Sequence, residues 1–102
     1  MNFEEMEVKI LKALAHPIRL KIVKKLSEGT LCVCELNADV EFSQSNLSQH
    51  LRVLKDAGIV ISERDGSKIL YSIKNEKVLE VIKLIEDMIL SDIEKMTKKI
   101  RR

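Results

Sequence analysis

The chain has 102 residues, of which 45% are hydrophobic and only 3% aromatic, so it suits one small domain with a core of Leu, Ile, Val and Met. Charged residues make up 33% and the formal net charge is +2, which argues against disorder and gives only weak support for a polyanionic partner. No apolar run approaches a membrane span, and the acidic start Glu4-Glu5-Glu7 is unlike a signal peptide, so we expect a cytoplasmic protein with reduced cysteines.

The N-terminal third predicts three consecutive helices. Asn2 is a suitable N-cap for a first helix that extends to about Ala15, because apolar residues recur there at helical spacing. Pro17 favours the first position of a second helix, which a glycine ends. Thr30 is a suitable cap for a third, short helix that contains both cysteines and extends to about Val40.

The segment 43–58 predicts an amphipathic helix with an unusual outer face. Ser43 is a suitable N-cap and Gly58 a suitable stop, and leucines at steps of four and three form one apolar stripe. The opposite side carries amides, hydroxyls and Arg, which are the groups that bind DNA. The alternative, an amphipathic helix whose polar face meets only solvent, would have the same apolar stripe and stays open. In a recognition helix the base-reading residues would be Gln44, Ser45, Asn46 (also available as a cap), Ser48 and Gln49, and the phosphate-binding residues Arg52 and Lys55.

The segment 59–74 predicts a β-hairpin. Two β-branched runs flank Asp65-Gly66, which is a strong turn signal between strands. Arg64 and Lys68 lie near the tip, where we expect them to contact phosphates. A helix-turn-helix followed directly by a basic hairpin is typical of a winged helix that binds DNA.

Residues 76–100 predict one long helix, because apolar residues recur at steps of three and four over about six or seven turns. Leu84, Met88 and others widen the apolar surface beyond one stripe, so we expect a partner subunit to cover it. The prediction is therefore a single domain over residues 1–102, mainly α with a small β-hairpin. Its order is α-α-α-α-β-β-α, and it dimerises through the first and last helices.

Two short sequences carry a family resemblance beyond this arrangement. Residues 15–19 read Ala-His-Pro-Ile-Arg at the junction of the first two helices, and residues 32–34 read Cys-Val-Cys. Together with the helix-turn-helix and the wing, they resemble the ArsR/SmtB family of bacterial and archaeal metal-responsive repressors over nearly the whole chain. The resemblance implies a homodimer that binds an imperfect palindromic operator in double-stranded DNA and releases it when a metal or metalloid binds.

The cysteine pair, Cys32 and Cys34, is expected in the first turn of the third helix, where the helix dipole favours the thiolate that binds soft metals. On a regular helix, residues two apart point about 200° away from each other. Both sulfurs could then hold one ion only if the start of the helix unwinds. That change would bend the support of the recognition helix and lower the affinity for DNA.

The resemblance suggests As(III) or Sb(III) as the inducer, with no cofactor required. Arsenic sensors of this type often add a third cysteine, but the matching position here is Asn37, so water or a small thiol would be the third donor. The cadmium type recruits cysteines from an N-terminal arm, which has none here. The zinc type uses Asp and His on the last helix, where Asp87 and Asp92 stand without a histidine, so we interpret both as solvated charges.

Several alternatives stay open at the level of sequence. The dithiol could sense oxidants or reactive sulfur species, or it could have no sensory role. The winged helix could bind protein instead of DNA. An enzyme has little support, because no nucleophile–base pair, phosphate loop or carboxylate-rich metal site is apparent. His16 and His50 are interpreted as structural hydrogen-bonding residues.

Overall fold

The computed structural model describes residues 2–39, 41–42 and 45–100, with the side chain of Ile100 left out. The described residues form five helices and a three-stranded antiparallel sheet. In chain order the elements are α1 (Phe3–Leu14), α2 (Pro17–Leu26), β1 (Leu31–Cys32), α3 (Val33–Ala38), α4 (Leu47–Asp56), β2 (Val60–Asp65), β3 (Lys68–Ile73) and α5 (Lys77–Ile100). The predicted mainly helical fold with a hairpin is confirmed, with β1 as an unpredicted addition.

Helices α1 and α2 each begin at a capping residue. The side-chain oxygen of Asn2 accepts a hydrogen bond from the backbone N–H of Glu5 at 2.8 Å, as predicted for a cap. Pro17 occupies the first turn of α2, where its missing N–H has no cost. His16 precedes it, and its Nδ1 accepts from the backbone N–H of Ile18 at 3.1 Å.

The sheet joins the wing hairpin to the segment in front of α3. Strands β2 and β3 pair around a two-residue turn whose first residue, Gly66, has φ 62°, a conformation that glycine adopts without strain. Strand β1 pairs with the other side of β3, so that Cys32 lies opposite Leu70 and the strand order is β1-β3-β2. The wing is therefore connected directly to the cysteine segment.

The start of the third helix differs from the prediction. The sequence predicts Thr30 as its cap, but Cys32 is the cap, with extended backbone angles (φ −81°, ψ 158°). The Cys32 sulfur accepts from the backbone N–H of Glu35 at 3.2 Å, and Glu35 Oε1 accepts from the backbone N–H of Cys32 at 3.1 Å. This reciprocal capping box fixes the first turn of α3. The helix ends at Ala38, before the predicted end at Val40, which lies outside the described residues.

One apolar core lies beneath α4 and the base of the sheet. It draws on every helix, and it also includes Phe42 from the segment that connects α3 to α4. Its buried members are Ala13, Leu14, Ile22, Val23, Leu26, Leu36, Phe42, Leu47, Leu51, Leu54, Ile59, Val60 and Ile82.

Helix α5 extends well beyond this core. Ile82 is its last buried residue, and the side chains from Lys83 to Lys99 are exposed, including apolar ones such as Leu84 (64%) and Met88 (66%). Helix α1 likewise exposes Phe3 at 79%. Among the described residues no helix has the length and apolar character needed to cross a membrane.

Candidate nucleic-acid interface and cysteine site

Helix α4 presents a polar face to solvent because its leucines anchor the other face in the core. Leu47, Leu51 and Leu54 are buried, at no more than 4% exposure. A shallow depression of about 490 Å³ follows the outer face, and its lining includes four of the residues predicted to contact DNA. The lining residues are Asn46, Ser48, Gln49, Arg52, Val53 and Asp56.

Helix α4, the predicted recognition helix, begins at Leu47, later than the predicted start at 43. Asn46 is its N-cap, and its Oδ1 accepts from the backbone N–H of Gln49 at 3.4 Å. Its Nδ2 also donates to the Gln49 side-chain Oε1 at 3.1 Å. The cap is therefore Asn46 rather than Ser43, and its second hydrogen bond holds a predicted base-reading side chain.

The remaining predicted residues at this end are placed in different ways. Ser43 and Gln44 lie outside the described residues. Ser45 is half-buried, and its hydroxyl donates to the carbonyl oxygen of Phe42 at 2.8 Å. Because its proton is engaged, the Ser45 oxygen is left to act toward DNA chiefly as an acceptor.

The chain passes directly from the end of α4 into the wing. Gly58 has φ 77°, and its N–H donates to the carbonyl of Lys55, while the N–H of Ile59 donates to that of Leu54, each at 3.0 Å. These two bonds form a Schellman motif, so the predicted stop at Gly58 is confirmed. The Lys55 ammonium also donates to Ser62 Oγ at 2.7 Å, which ties the helix to β2.

The predicted wing cations, Arg64 and Lys68, are both exposed near the tip of the hairpin. Arg64 pairs with Ile69 and Lys68 with Asp65, so the two cations belong to adjacent cross-strand pairs. Because successive residues alternate between the faces of a strand, these pairs place the two cations on opposite faces of the hairpin. Lys68 also lines the cavity beside the cysteines.

A partly buried cluster connects α4 to the junction of α1 and α2. The Arg19 guanidinium donates to the carbonyl oxygens of Ala13 (2.7 Å) and Lys12 (3.2 Å), and its Nη1 lies 3.3 Å from His50 Nδ1. The His16 and His50 rings are 4.5 Å apart. Burial, with smaller contributions from His16 and Arg19, lowers the pKa of His50 below its ordinary value of 6.5. Both histidines are structural hydrogen-bonding residues, as predicted.

The cysteine pair has a different geometry from the predicted one. The structure brings the sulfurs of Cys32 and Cys34 together as in a disulfide, with Cα atoms 5.2 Å apart, whereas the sequence predicts side chains on diverging sides of a helix. The predicted divergence is wrong because Cys32 precedes α3 in an extended conformation, so the two side chains converge without unwinding of the helix. Cys32 is buried (1% exposed) and Cys34 is exposed.

A cavity of about 290 Å³ opens beside this pair. It is bounded by the start of α3, by α4 and by the tip of the wing, and its lining residues are Cys32, Val33, Cys34, Ser48, Leu51, Ser67, Lys68, Ile69 and Tyr71. The cysteines therefore face both elements that are predicted to contact DNA.

The described residues contain no cluster of three or more His, Cys, Asp or Glu side chains that could hold a metal ion. Asn37 is exposed on α3, and Asp87 and Asp92 are exposed on α5. Of the predicted ligands, the structure brings together only Cys32 and Cys34. A thiophilic ion at this site would have two protein donors.

Four residues with a place in the site were absent from the predicted set. Val53 and Asp56 lie on the outer face of α4, four and seven residues after Gln49, so helical spacing could have identified them. Arg19 and Glu35 act through contacts that no local pattern reveals.

Comparisons with known proteins point to one family. Residues 16–62 match the family model described as bacterial regulatory protein, arsR family. The uncharacterised HTH-type transcriptional regulator MJ1325 of Methanocaldococcus jannaschii is 39% identical over 89 residues, which cover 86% of this chain and all of the relative. The arsenical resistance operon repressor of Staphylococcus xylosus is 40% identical over 76 residues, which cover 74% and 72% of the two chains.

Solved structures of similar proteins indicate the same family. The crystal structure of M. tuberculosis Rv0081 superposes with a TM-score of 0.80 at 31% identity, over 95% of this chain and 98% of that one. The solution structure of the homodimeric winged helix-turn-helix DNA-binding domain of Mb0332 from Mycobacterium bovis gives 0.77 at 26% identity, over 89% and 84%. The named relatives are transcriptional regulators, in agreement with the prediction that the chain is not an enzyme. This chain belongs to the ArsR/SmtB family of winged helix-turn-helix transcriptional repressors.

Proposed function

We propose that the chain acts as a homodimeric repressor that releases its DNA operator when As(III) or Sb(III) binds Cys32 and Cys34. The observation that carries this proposal is the shared cavity, which the cysteine pair lines together with α4 and the tip of the wing. A ligand held there lies between the two elements that contact DNA. Ligand binding and DNA binding are thereby coupled.

Operator binding rests on the outer face of α4 and on the wing. Amides and hydroxyls on a helix in the major groove read base edges, while cations bind the flanking phosphates. The double-stranded operator is an imperfect palindrome, since a two-fold dimer presents two identical helices. The assigned base readers are Gln44, Ser45, Asn46, Ser48 and Gln49, and the assigned phosphate contacts are Arg52, Lys55, Arg64 and Lys68.

Salt-dependent gel shifts separate these two roles. Arg64→Ala should weaken binding to all DNA and flatten the plot of log affinity against log salt by about 0.9 per lost contact. Gln49→Ala should keep that slope and reduce discrimination between operator variants. An Arg64→Ala variant that altered only sequence preference would contradict this assignment.

Dimerisation rests on apolar side chains that the protomer leaves exposed. Helix α1 exposes Phe3, Met6 and Leu11, and α5 exposes Leu84 and Met88, each at more than half of its surface. The homodimeric state of the Mb0332 domain supports the same assembly for this chain. The two copies of α4 would then contact half-sites about one helical turn apart, or a multiple of it.

The chemistry of the pair suits a thiophilic ion. The backbone N–H of Glu35 donates to the Cys32 sulfur at the start of α3, and in the reduced pair the same N–H would stabilise a thiolate at Cys32. Lys68 adds a cation to the same cavity. The S. xylosus relative is named for arsenical resistance, which supports arsenic as the ligand class. Water or a small thiol completes the coordination.

Two structural connections from the cysteine pair, one to the wing and one to α4, account for the release of DNA. Cys32 is paired with Leu70 of β3, so movement of its sulfur is passed to the wing. Ser48 and Leu51 of α4 line the cavity, so a ligand that fills it displaces the recognition helix. The predicted unwinding of α3 is not needed for either connection.

Ultraviolet titration of the reduced protein with arsenite tests the site directly. We expect one As(III) per subunit, detected by sulfur–arsenic absorption, and loss of this signal in Cys32→Ser and in Cys34→Ser. Asn37→Ala is the matched control on the same helix and should bind as the wild type does. The absence of stoichiometric binding to the wild type would rule out arsenic sensing.

A second candidate, redox sensing, is favoured by the proximity of the two sulfurs, which are close enough to form a disulfide. Hydrogen peroxide would oxidise the exposed Cys34 thiolate to a sulfenic acid, with reduction of the peroxide to water. The Cys32 thiol would then displace water from that sulfur to form the disulfide. Operator release by peroxide alone, reversed by a dithiol reductant, would favour this function over metalloid sensing.

A further inference from the structure

Asn46 and Gln49 form a closed pair at the start of α4. The Gln49 backbone N–H donates to Asn46 Oδ1 (3.4 Å), and Asn46 Nδ2 donates to Gln49 Oε1 (3.1 Å). Both side chains are exposed and line the depression along the outer face of the helix. One residue therefore caps the helix and holds a neighbouring amide on the DNA-facing surface.

The donor and acceptor types in this pair determine the orientation of both amides. A backbone N–H can only donate, so the Asn46 atom that it meets is the oxygen. The other end of the Asn46 amide is then the NH₂ group, which also only donates. The Gln49 atom that faces it must be the carbonyl oxygen, and the Gln49 NH₂ group is left pointing away from Asn46.

We propose that Asn46 is a positioning residue that makes Gln49 present a hydrogen-bond donor to the operator, so that Gln49 selects guanine. This inference rests on the proposed base-reading role of Gln49. In the major groove guanine offers two acceptors, N7 and O6, and no donor, so it suits the Gln49 NH₂ best. Adenine offers one acceptor, N7, beside a donor amino group, thymine offers one acceptor, and cytosine offers only a donor, so each makes fewer hydrogen bonds with that NH₂.

Selection of binding sites from a random duplex pool, with the reduced protein, tests the inference. Gln49→Ala identifies the operator position that Gln49 contacts, because the base preference is lost there. Asn46→Asp keeps a capping oxygen but replaces the donor with an acceptor, so the Gln49 amide turns and presents its oxygen outward. Asn46→Ser keeps the cap and removes the amide.

The expected wild-type preference at the Gln49 position is guanine, by about fivefold or more. In Asn46→Asp the preference at that position should move to adenine or cytosine, and in Asn46→Ser it should relax, while other positions keep their bases. The added charge of the Asp variant lowers affinity for all sites alike, so it does not alter the ratios between bases.

Two results would overturn the inference: a wild-type preference for adenine or cytosine at this position, or the wild-type preference retained in both Asn46 variants. A different result would refute the proposed function at Gln49, namely base preferences that Gln49→Ala leaves unchanged at every position. Thermal unfolding of each variant verifies that the cap and the fold are retained.

Discussion

Cys32 has three structural roles at once. It belongs to β1, where it lies opposite Leu70, its sulfur caps α3, and the same sulfur is paired with Cys34. A change at this sulfur therefore reaches the sheet and the helix together. For the same reason, a substitution at Cys32 risks a loss of stability that would be mistaken for a loss of sensing.

The cap at Cys32 predicts different effects for two substitutions. Under reducing conditions, Cys32→Ala should lower the free energy of unfolding by about 1 kcal/mol, because it leaves the Glu35 N–H without its acceptor. Cys32→Ser supplies an oxygen in the same place and should stay within about 0.5 kcal/mol of the wild type. Urea denaturation measures both, with the exposed Cys34→Ala as control. Equal stability of the Ala and Ser variants would show that the sulfur contributes nothing as a cap.

His50 predicts a pH dependence of stability. Its Nδ1 accepts from Arg19, which can only donate, and burial lowers the pKa of His50 in the folded protein below 6.5. As pH falls through about 6.5, the unfolded chain binds this proton before the folded protein does, so the stabilisation present above that pH is progressively lost. In urea denaturation, His50→Gln should therefore lose less stability than the wild type between about pH 7.5 and about pH 5.5. Identical losses would contradict this account.

At the scale of elements, the passage from α4 to the wing depends on one residue. Gly58 has φ 77°, and a Cβ placed there would meet only the end of the Lys74 side chain, at 3.9 Å. Gly58→Ala therefore causes backbone strain without a clash and should lower the free energy of unfolding by about 1–2 kcal/mol. Ala57→Gly, at the preceding helical position, is the control for altered flexibility. An unchanged urea midpoint in Gly58→Ala would refute the role of this motif.

Elements specified by local sequence were predictable, and those specified by distant contacts were not. Pro17 and Asp65-Gly66 indicate a helix start and a turn through their own backbone preferences, and the structure has both. Strand β1 has only two residues, and its extended form depends on pairing with β3, far along the chain. Cys32 was missed as a cap because sulfur is not a usual capping acceptor.

The candidate site shows the same division. The outer face of α4 follows from helical periodicity, which brings Ser48, Gln49 and Arg52 to one surface. The cavity between the cysteines, α4 and the wing tip depends on how three segments pack, so the residue spacing could not reveal it. The sequence predicts Ser43 as the N-cap and Asn46 only as an alternative, because both side chains have an oxygen that can cap a helix.

At the scale of the whole molecule, α5 carries more apolar surface than one subunit can cover. Leu84→Glu places a charge on that surface and removes the burial of one leucine from each subunit, worth about 1.5–3 kcal/mol apiece. The dimer dissociation constant should rise at least about a hundredfold. Sedimentation velocity measures it, with Lys83→Glu, about 100° away around the helix, as a matched control. A Leu84→Glu protein that remained dimeric would exclude this surface as the interface.

The most direct test of the thiol pair as a switch is operator affinity with and without arsenite, measured by fluorescence anisotropy on reduced wild-type protein and on Cys34→Ser. Saturating arsenite should weaken operator binding by the wild type about 5- to 150-fold, a coupling of about 1–3 kcal/mol. It should leave Cys34→Ser unaffected. An operator affinity that stays the same when the wild-type site is saturated with As(III) would contradict the account.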